Sequence, residues 1–322
     1  MSLKSDSDLT VQVPGSVANL GGGFDTLGVA VDLYLRARIV DVRDDGGNRL
    51  EVVHSTPPVR GHNAVERAFA TVARRTGTRA PTVLVEVTSD IPMSAGLGSS
   101  AAATVAGIRL FERVTGRLAD SVALGAATAV EGHADNAAPA LFGGLNSVVE
   151  VDGGEPMALR WTWPDDLRFV VSTPSVGLAT AKARAALAPQ IARKDAIFNL
   201  QRVLSLVHAL QGGDYERLRE SVKDRWHQPA RAALVPLLDD AIAVEDPDVL
   251  GVFLSGAGPS IAWLVRGDGA RVARLVQTMY ERAAMTATVR TLSVHQAASA
   301  SGESAPYEKP AAVMAAAHGR TA

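Results

Sequence analysis

The 322-residue sequence contains no cysteine and only five lysines. Without cysteine, neither disulfide bonds nor thiolate metal sites are possible, and a reducing cytoplasm is the expected location. Aromatic residues make up 5% of the chain, so alanine, valine and leucine must fill the interior. The sequence also lacks an apolar N-terminal signal core and any run of about 18 apolar residues, which predicts that no segment spans a membrane.

An excess of charge of one sign is absent as well. The formal net charge is −2, and acidic and basic residues are interspersed. The basic stripe that is typical of nucleic-acid binding is therefore missing, and we expect no nucleic-acid partner. The length is sufficient for two domains of ordinary size, each with its own core.

Strand-like and helix-like patterns are mixed without strict alternation, which predicts an α+β fold in layers rather than a doubly wound sheet. Residues 164–166 are predicted to form the boundary between an N-terminal domain over 1–165 and a C-terminal domain over 166–296. Residues 297–322 are rich in Ala, Ser, Gly and Pro, and we expect them to form a flexible tail.

Apolar periodicity predicts individual elements along the chain. Residues 9–13 have the pattern of a strand, which Pro14 would end. A helix is predicted over 193–210, with one apolar stripe, and another over 215–226. The stripe consists of Ile197, Leu200, Leu204 and Val207.

The most informative stretch is PMSAGLGSSAA at residues 92–102, the second glycine-rich segment of the chain. It follows a predicted strand and opens a predicted helix that begins at Ser99. Gly96 and Gly98 remove side chains where backbone must approach a ligand closely, and Ser99 or Ser100 can cap the helix. The amino end of a helix presents free N–H groups and a charge of roughly +0.5, which favours a polyphosphate ligand.

Three other interpretations of this segment compete with a phosphate site. The pattern G-x-G-x-x-A at 96–101 fits the dinucleotide fingerprint formally, but residues 88–95 separate it from the strand, and no strand ending in an acid follows it. A Walker A loop is excluded because the sequence contains no Gly-Lys pair. A helix start without any ligand remains as an alternative for the segment taken alone.

Two further glycine-rich segments decide between these interpretations. The first is PGSVANLGGGFD at 14–25, and the third is LSGAGPS at 254–260. In order and rough spacing, the three segments resemble the three motifs of the GHMP kinases, a superfamily that includes galactokinase, homoserine kinase, mevalonate kinase and phosphomevalonate kinase. The resemblance implies a two-domain fold with mixed and antiparallel sheets, an active site in the cleft between the domains, and ATP-dependent phosphorylation of a small hydroxylated metabolite.

Within the superfamily, four segments resemble the homoserine kinases. They are NLGGGFD at 19–25, EGHADN at 131–136 with the following APA and GG, LATAKAR at 178–184, and HQPAR at 227–231. This resemblance implies phosphorylation of L-homoserine to O-phospho-L-homoserine, a step of threonine biosynthesis, and a homodimer. Two positions depart from the usual pattern and leave the affinity for ATP open: Gly22 replaces a common proline, and Ala95 replaces a common arginine.

The resemblance also implies the residues that bind ATP and magnesium. Asn63 is expected near the adenine, and Ser99 and Glu131 are expected to hold Mg²⁺, which prefers oxygen ligands. Glu131 and Asn136 are the expected catalytic residues. The remaining ATP-binding residues lie along the second glycine-rich segment: Pro92, Met93, Ser94, Ala95, Gly96, Leu97, Gly98, Ser99, Ser100, Ala101 and Ala102.

Homoserine is a zwitterion with a hydroxyl group, so its site needs cations for the carboxylate and an acid for the ammonium. Arg184 and Arg231 can both bind a carboxylate in forked geometry, and Asp25 can hold the ammonium. By resemblance these are substrate residues, together with Asn19, Asn136 and Thr180; without the motif context, both arginines would be interpreted as surface charges.

The mechanism expected from the sequence is in-line attack of the hydroxyl on the γ-phosphorus, driven by positioning, Mg²⁺ and loop amides. Asn136 would orient the hydroxyl. No lysine occurs between Lys4 and Lys182, so the Lys–Asp base of some GHMP kinases is not visible. A GHMP kinase for threonine, mevalonate or a sugar, and a non-catalytic nucleotide-binding homologue, remain as alternatives.

Overall fold

The computed structural model describes residues 9–59 and 63–296. The tail predicted for 297–322 lies outside the described residues. The elements are arranged around two sheets, one built from the first half of the chain and one from the second half.

The first sheet has six strands, and most neighbouring strands are antiparallel. Only β3 and β4 run parallel, so the sheet is mixed. Its order is β3-β4-β2-β5-β6, and β1 pairs with β2 outside this path. The strands are β1 (Thr10–Ala18), β2 (Leu27–Arg43), β3 (Leu50–Thr56), β4 (Thr82–Ser89), β5 (Leu145–Val149) and β6 (Met157–Trp161).

Pro14 does not end the first strand, contrary to the prediction. β1 continues through it to Ala18, and the register with β2 shifts between Pro14 and Gly15. Because β1 pairs with only one strand and is irregular at this point, the missing N–H of proline costs no ladder hydrogen bond. The strand thus carries the first glycine-rich segment directly into the site.

Four helices accompany this sheet: α1 (Ala64–Thr76), α2 (Ser99–Thr115), α3 (Asp120–Glu131) and α4 (Ala137–Phe142). α1 buries Val65, Ala68, Phe69 and Val72 as one face. It packs closely on α2, since a Cβ at Gly107 would lie 2.2 Å from the carbonyl oxygen of Val65. This contact fixes α1 beside the middle of α2.

The second sheet is antiparallel, with the order β10-β7-β9-β8. Its strands are β7 (Leu167–Pro174), β8 (Val249–Leu254), β9 (Ile261–Arg266) and β10 (Ala287–Leu292). Its helices are α5 (Thr180–Ala185), α6 (Arg193–Gly212), α7 (Leu218–Ser221), α8 (His227–Arg231), α9 (Leu238–Ile242) and α10 (Ala270–Arg282), with 3₁₀ turns at Tyr215–Arg217 and Ala232–Leu234. The predicted α+β class, with mixed and antiparallel sheets, is confirmed.

One hydrophobic core extends across both sheets. Phe169 of β7 and Phe253 of β8 belong to the same buried cluster as Val29 of β2, and a second cluster lies around α10. The end of the chain after β10 also returns to the first sheet, where Val294 forms an isolated bridge with Val31. The boundary placed at 165/166 lies between β6 and β7, and its position stays a prediction.

The two helices predicted in the second half have different outcomes. The helix over 193–210 is present, but Ile197, Leu200 and Leu204 of its stripe are exposed at 47%, 64% and 73%; the buried residues are Asn199, Leu206, Ala209 and Leu210. The single helix predicted over 215–226 is instead a 3₁₀ turn followed by the short α7. Among the helices of residues 9–59 and 63–296, none is long and apolar enough to cross a membrane.

Candidate active site

The three glycine-rich segments meet at the amino end of α2. The N–H of Ser16, in the first segment, donates to the carbonyl oxygen of Leu97 in the second segment at 3.1 Å. The hydroxyl of Ser255, in the third segment, donates to the carbonyl oxygen of Gly96 at 2.7 Å. The second segment is therefore held on both sides, once by each sheet.

These contacts explain the two glycines of the second segment. Gly96 has φ +76°, and a Cβ there would lie 2.3 Å from the carbonyl oxygen of Ser255. Gly98 has φ +72°, and a Cβ there would lie 2.1 Å from the hydroxyl oxygen of Ser16. The sequence-based interpretation attributed both glycines to the approach of a ligand, whereas in the structure the neighbouring protein segments already require them.

Gly98 is also the N-cap of α2, in the left-handed conformation, and no side chain caps the helix. The predicted capping by Ser99 or Ser100 is therefore wrong. The first turn of α2 contains no acidic residue, so its free N–H groups and the positive end of the helix dipole stay available. An anion can bind at this helix end.

The helix end opens into a cavity of about 330 Å³ between the segments. The cavity is lined by most of the residues that the sequence analysis selected: Asn19, Asp25, Pro92, Ser94, Ala95, Gly96, Gly98, Ser99, Ser100, Ala101, Glu131, Asn136, Thr180, Arg184 and Arg231. Sequence reasoning did not select the other lining residues: Phe24, Arg67, Val130, His133, Asp135, Gly256 and Ala257.

Four selected residues do not line this cavity. Asn63 caps α1 instead, where its side-chain oxygen accepts a hydrogen bond from the N–H of Val65 at 3.0 Å. The side chains of Leu97 and Ala102 are buried in the core, and that of Met93 is exposed. Their roles in ATP binding stay predictions.

Glu131, at the end of α3, is held by two hydroxyl groups from one face of α2. Its Oε1 accepts hydrogen bonds from Ser100 at 2.9 Å and from Thr104 at 2.6 Å. The structure pairs Glu131 with Ser100, which lies one turn before Thr104, rather than with Ser99, which points elsewhere on the helix. The role of Ser99 as a metal ligand stays a prediction, and Ser100 is the better-placed hydroxyl.

The donors around Glu131 fit a magnesium ion by their chemistry. A carboxylate and a hydroxyl are hard oxygen ligands, and Mg²⁺ usually takes one or two protein carboxylates while phosphates and water complete its shell. Within the described part of the chain, no group of three or more His, Cys, Asp or Glu residues could hold a metal ion. A magnesium ion here would consequently depend on the phosphates for much of its coordination.

In the same cavity, Asp25 and Arg184 form a forked ion pair. Nη1 of Arg184 donates to Oδ2 of Asp25 at 3.0 Å, and Nη2 donates to Oδ1 at 2.8 Å. Hydrogen bonding to Asp25 raises the pKa of Arg184 above its ordinary value, against the opposing effect of burial. Two side chains predicted to bind opposite ends of a zwitterion thus neutralise each other in the free protein.

Arg231 is almost completely buried at 1% exposure, yet it lines the cavity. Its guanidinium donates to the carbonyl oxygens of Ala183 and Gly256, both at 3.1 Å. Its Nη1 also lies 3.3 Å from Nδ1 of His227. Burial lowers the pKa of Arg231 from its ordinary value, and the carbonyl partners compensate part of the desolvation of its charge.

His227 holds Arg231 as a neutral imidazole. Its Nε2 lies 2.8 Å from the carbonyl oxygen of Gly21, which can only accept a hydrogen bond. Nε2 therefore carries the proton, and Nδ1 is free to accept from Arg231. Burial lowers the pKa of His227 and favours this neutral form.

Asn19 and Asn136 use their amides within the protein. Nδ2 of Asn19 donates to the carbonyl oxygen of Gly256 at 2.9 Å, and its Oδ1 accepts from the N–H of Asp25 at 3.1 Å. Oδ1 of Asn136 accepts from the hydroxyl of Ser16 at 2.8 Å. Both asparagines thus join segments at the cavity wall, and their contact with substrate stays a prediction.

Comparison with known proteins identifies the family. The model of the GHMP kinases N terminal domain matches residues 63–144, and that of the GHMP kinases C terminal domain matches 206–282. A curated homoserine kinase of Thermus thermophilus is 38% identical over 266 residues, which are 81% of this chain and 89% of the relative. One of Deinococcus radiodurans is 39% identical over 254 residues, which are 78% and 82%. The chain belongs to the homoserine kinases of the GHMP kinase superfamily.

Solved structures agree with this assignment. The crystal structure of homoserine kinase from Cytophaga hutchinsonii ATCC 33406 has a TM-score of 0.79 at 28% identity, covering 92% of this chain and 98% of that chain. The mevalonate kinase of Methanococcus jannaschii, at 14% identity and a TM-score of 0.64, shares the fold alone and covers 89% and 98%. The superfamily resemblance inferred from the three glycine-rich segments is confirmed, as is the two-domain fold. Membership of a kinase family implies ATP as the co-substrate.

Among the lining residues that sequence reasoning missed, His133 and Asp135 form a pair. Nδ1 of His133 lies 2.7 Å from Oδ1 of Asp135. This hydrogen bond raises the pKa of His133 above its ordinary value. Their signal in the sequence was their place in EGHADN, between the two residues selected from that segment, Glu131 and Asn136. Arg67 had no such signal, because nothing in the sequence distinguishes it from other helix arginines.

Proposed function

We propose that the protein catalyses ATP-dependent phosphorylation of the side-chain hydroxyl of L-homoserine, giving O-phospho-L-homoserine and ADP. One observation carries the proposal: a single cavity contains both the uncapped amino end of α2 and a set of two arginines and one aspartate. The first feature fits a polyphosphate, and the second fits the two charges of an amino acid. Membership of the homoserine kinases supports the choice of substrate.

In this proposal the amino acid is held by its charged groups. Arg184 and Arg231 bind the carboxylate, and Asp25 binds the ammonium once Arg184 turns from Asp25 to the substrate. Thr180, one helical turn before Arg184, and Asn136 line the same cavity. This arrangement leaves the hydroxyl of the bound amino acid free to point towards the amino end of α2.

The chemical step needs little from the protein beyond positioning. Phosphoryl transfer passes through a loose transition state, with charge spread over the phosphoryl oxygens. The hydroxyl oxygen forms the new bond to the γ-phosphorus while the bond from that phosphorus to the bridging oxygen of ADP breaks. The hydroxyl proton leaves late and passes to solvent water, so a strong base is not required. The N–H groups at the start of α2 stabilise the charge that develops on the phosphates.

Ser100 and Glu131 are the side chains that would hold Mg²⁺, which neutralises phosphate charge when it is bound. Thr104 orients Glu131 through its 2.6 Å hydrogen bond. A carboxylate with a fixed direction is better suited to bind a metal than a mobile one. Ser99, at the first position of α2, remains a candidate for a direct contact with a phosphate.

Three further features belong to the proposal. The domains divide near 165/166, the protein works in the cytoplasm, and two copies form a homodimer. The absence of cysteine from the sequence supports the location, and the exposed Leu200 and Leu204 of α6 supply apolar surface for an assembly. Sedimentation velocity at several protein concentrations tests the dimer.

A coupled ADP-release assay with L-homoserine, L-threonine and mevalonate tests the function. The proposal expects turnover with L-homoserine at a kcat/KM well above that with the other two compounds. Mevalonate carries a carboxylate but no ammonium, so it leaves Asp25 without a partner. A higher kcat/KM for threonine or mevalonate would indicate another GHMP kinase, and no ADP release with any compound would indicate a non-catalytic homologue.

A further inference from the structure

Arg67 is a cavity-lining cation on α1 that has no partner among the described residues. It lines the same cavity as Ser100, Ala101 and Glu131, and its side chain is exposed. Within residues 9–59 and 63–296, no carboxylate lies within salt-bridge distance of Arg67, and its side chain makes no hydrogen bond. A guanidinium that faces a cavity in this way is available to a ligand.

The other two arginines of the cavity are already engaged. Arg184 is paired with Asp25 in forked geometry, and Arg231 is buried and bonded to backbone carbonyls. Arg67 lies instead on α1, which packs against α2 and α3. It therefore contributes its charge to the end of the cavity where α2 begins, rather than to the end that fits an amino acid.

The segment that precedes α2 contributes no side-chain cation of its own. Residues 92–98 read PMSAGLG, and the sequence has no lysine from residue 5 to residue 181. Glu131 adds a negative charge at the same end of the cavity. A polyphosphate bound there would face backbone N–H groups and one carboxylate, so a guanidinium from α1 supplies the missing positive side chain.

The packing of α1 fixes where this guanidinium can reach. Val65 and Ala68, on either side of Arg67, both approach Gly107 of α2, with Ala68 Cβ 2.9 Å from the position of a Cβ at Gly107. Because α1 is held so close to α2, Arg67 is anchored at its backbone and mobile only in its side chain. We propose that Arg67 binds the phosphate groups of the nucleotide and sets the affinity for ADP and ATP.

This inference rests on the proposed function for the identity of the nucleotide, but it can be tested without homoserine. The test is isothermal titration calorimetry with ADP and with adenosine, on the wild-type protein and on Arg67→Ala, in the presence of MgCl₂. A charge-assisted contact at an exposed position predicts ADP binding about tenfold weaker in the variant. Adenosine binding should not change, because adenosine carries no phosphate.

Two controls make the result specific. Arg74 lies on the same helix, is exposed and hydrogen-bonds to Thr71, away from the cavity. Arg74→Ala should therefore leave ADP binding unchanged, whereas Arg67→Lys should restore part of it as a point charge. Raising KCl should weaken ADP binding more in the wild-type protein than in Arg67→Ala. Thermal unfolding of each variant checks that α1 is intact.

Three results would overturn the proposal. Unchanged ADP binding in Arg67→Ala would make Arg67 a solvated cation, and an equal loss of affinity for ADP and adenosine in this variant would place Arg67 against the nucleoside. An equal loss of ADP affinity in Arg74→Ala would show that the effect is not specific to the cavity. A failure of the homoserine assay would leave the ADP measurements standing. The two proposals can therefore fail separately.

Discussion

Replacing Asp25 with asparagine tests the proposed contact with the substrate's ammonium group separately from the contact with its carboxylate. In the free protein, the carboxylate of Asp25 accepts both hydrogen bonds of Arg184, at 2.8 and 3.0 Å. A zwitterionic substrate exchanges this one ion pair for two, one with each of its charged groups. A substrate that has only a carboxylate can recruit Arg184 but leaves Asp25 unpaired.

The size of the effect follows from the exposure of the pair. The side chains of Arg184 and Asp25 are 38% and 34% exposed. A hydrogen bond to a charged group contributes about 1.5–3 kcal/mol. Because solvent screens a contact of Asp25 at this exposure, its contribution lies near the lower end of that range, at about 1.5 kcal/mol. Asp25→Asn removes one such contact from the free protein and one from the homoserine complex, so kcat/KM for L-homoserine should change little.

The comparison substrate is 4-hydroxybutyrate, which lacks the ammonium group. In Asp25→Asn no ion pair must be broken and no carboxylate is left unpaired when Arg184 turns to the substrate, so kcat/KM for 4-hydroxybutyrate should rise about tenfold. The preference for L-homoserine should shrink by about tenfold or more. Both values come from the same ADP-release assay.

A matched control is Asp41→Asn. Asp41 pairs with Arg43 at 3.1 Å, both side chains are about half exposed, and neither residue lines the cavity. This variant should retain the wild-type preference. If Asp25→Asn lost activity equally with both substrates, the exchange of ion pairs would be refuted, and Asp25 would have only a structural role.

Three more predictions follow from the site. Gly98→Ala should lower the free energy of unfolding by about 2–3 kcal/mol in urea titrations, because alanine is strained at φ +72° and its Cβ would meet a hydroxyl oxygen at 2.1 Å. Ser100→Ala should raise the MgCl₂ concentration that gives the half-maximal rate about tenfold, because Ser100 contacts Glu131. Ser99→Ala should raise this concentration less, and equal effects of the two variants would contradict the geometry. Burial lowers the pKa of His227, so the unfolded chain binds more protons than the native protein and stability should fall as the pH drops below about 6.5. His227→Gln should reduce this slope between about pH 6.5 and 5, and an unchanged slope would show that other groups cause it.

The elements around the site could be predicted from local patterns, because those patterns are strong there. The helix that begins at Ser99 was found at its observed start, and most of the strand predicted over 9–13 lies in β1. Both depend on interactions close in sequence. Pro14 was misjudged because its tolerance in β1 depends on which strands lie beside it, and pairing is not visible in a local pattern.

The exposure of the α6 stripe could not be predicted for a similar reason. Apolar spacing indicates a helix, but it does not say which face the rest of the fold covers. In α6 the covered face includes Asn199, whose side-chain amide donates to Asp224 at 2.6 Å. A buried polar residue with a partner 25 positions away leaves no signature in the spacing of leucines.

Within the site, residue types were predicted better than their partners. Asp25 and Arg184 were selected as ligands for opposite charges of a substrate, and the same complementarity makes them partners of each other. Ser99 was selected as the magnesium ligand rather than its neighbour Ser100, and the helical rotation that directs Ser100 to Glu131 becomes visible only in the structure. Contact partners depend on three-dimensional geometry, which chemistry and spacing alone leave open.

A domain boundary at one position of the sequence also does not describe how the amino end of α2 is formed. The third glycine-rich segment connects β8 and β9 of the second sheet, yet it contacts the second glycine-rich segment from the first half of the chain. The hydroxyl of Ser255 donates to Gly96 at 2.7 Å, and the N–H of Ser260 donates to Ala95 at 3.2 Å. A boundary at 165/166 therefore separates the sheets but does not separate the site. The conformation of Gly96, and with it the direction of the free N–H groups of α2, depends on the packing of both sheets against each other.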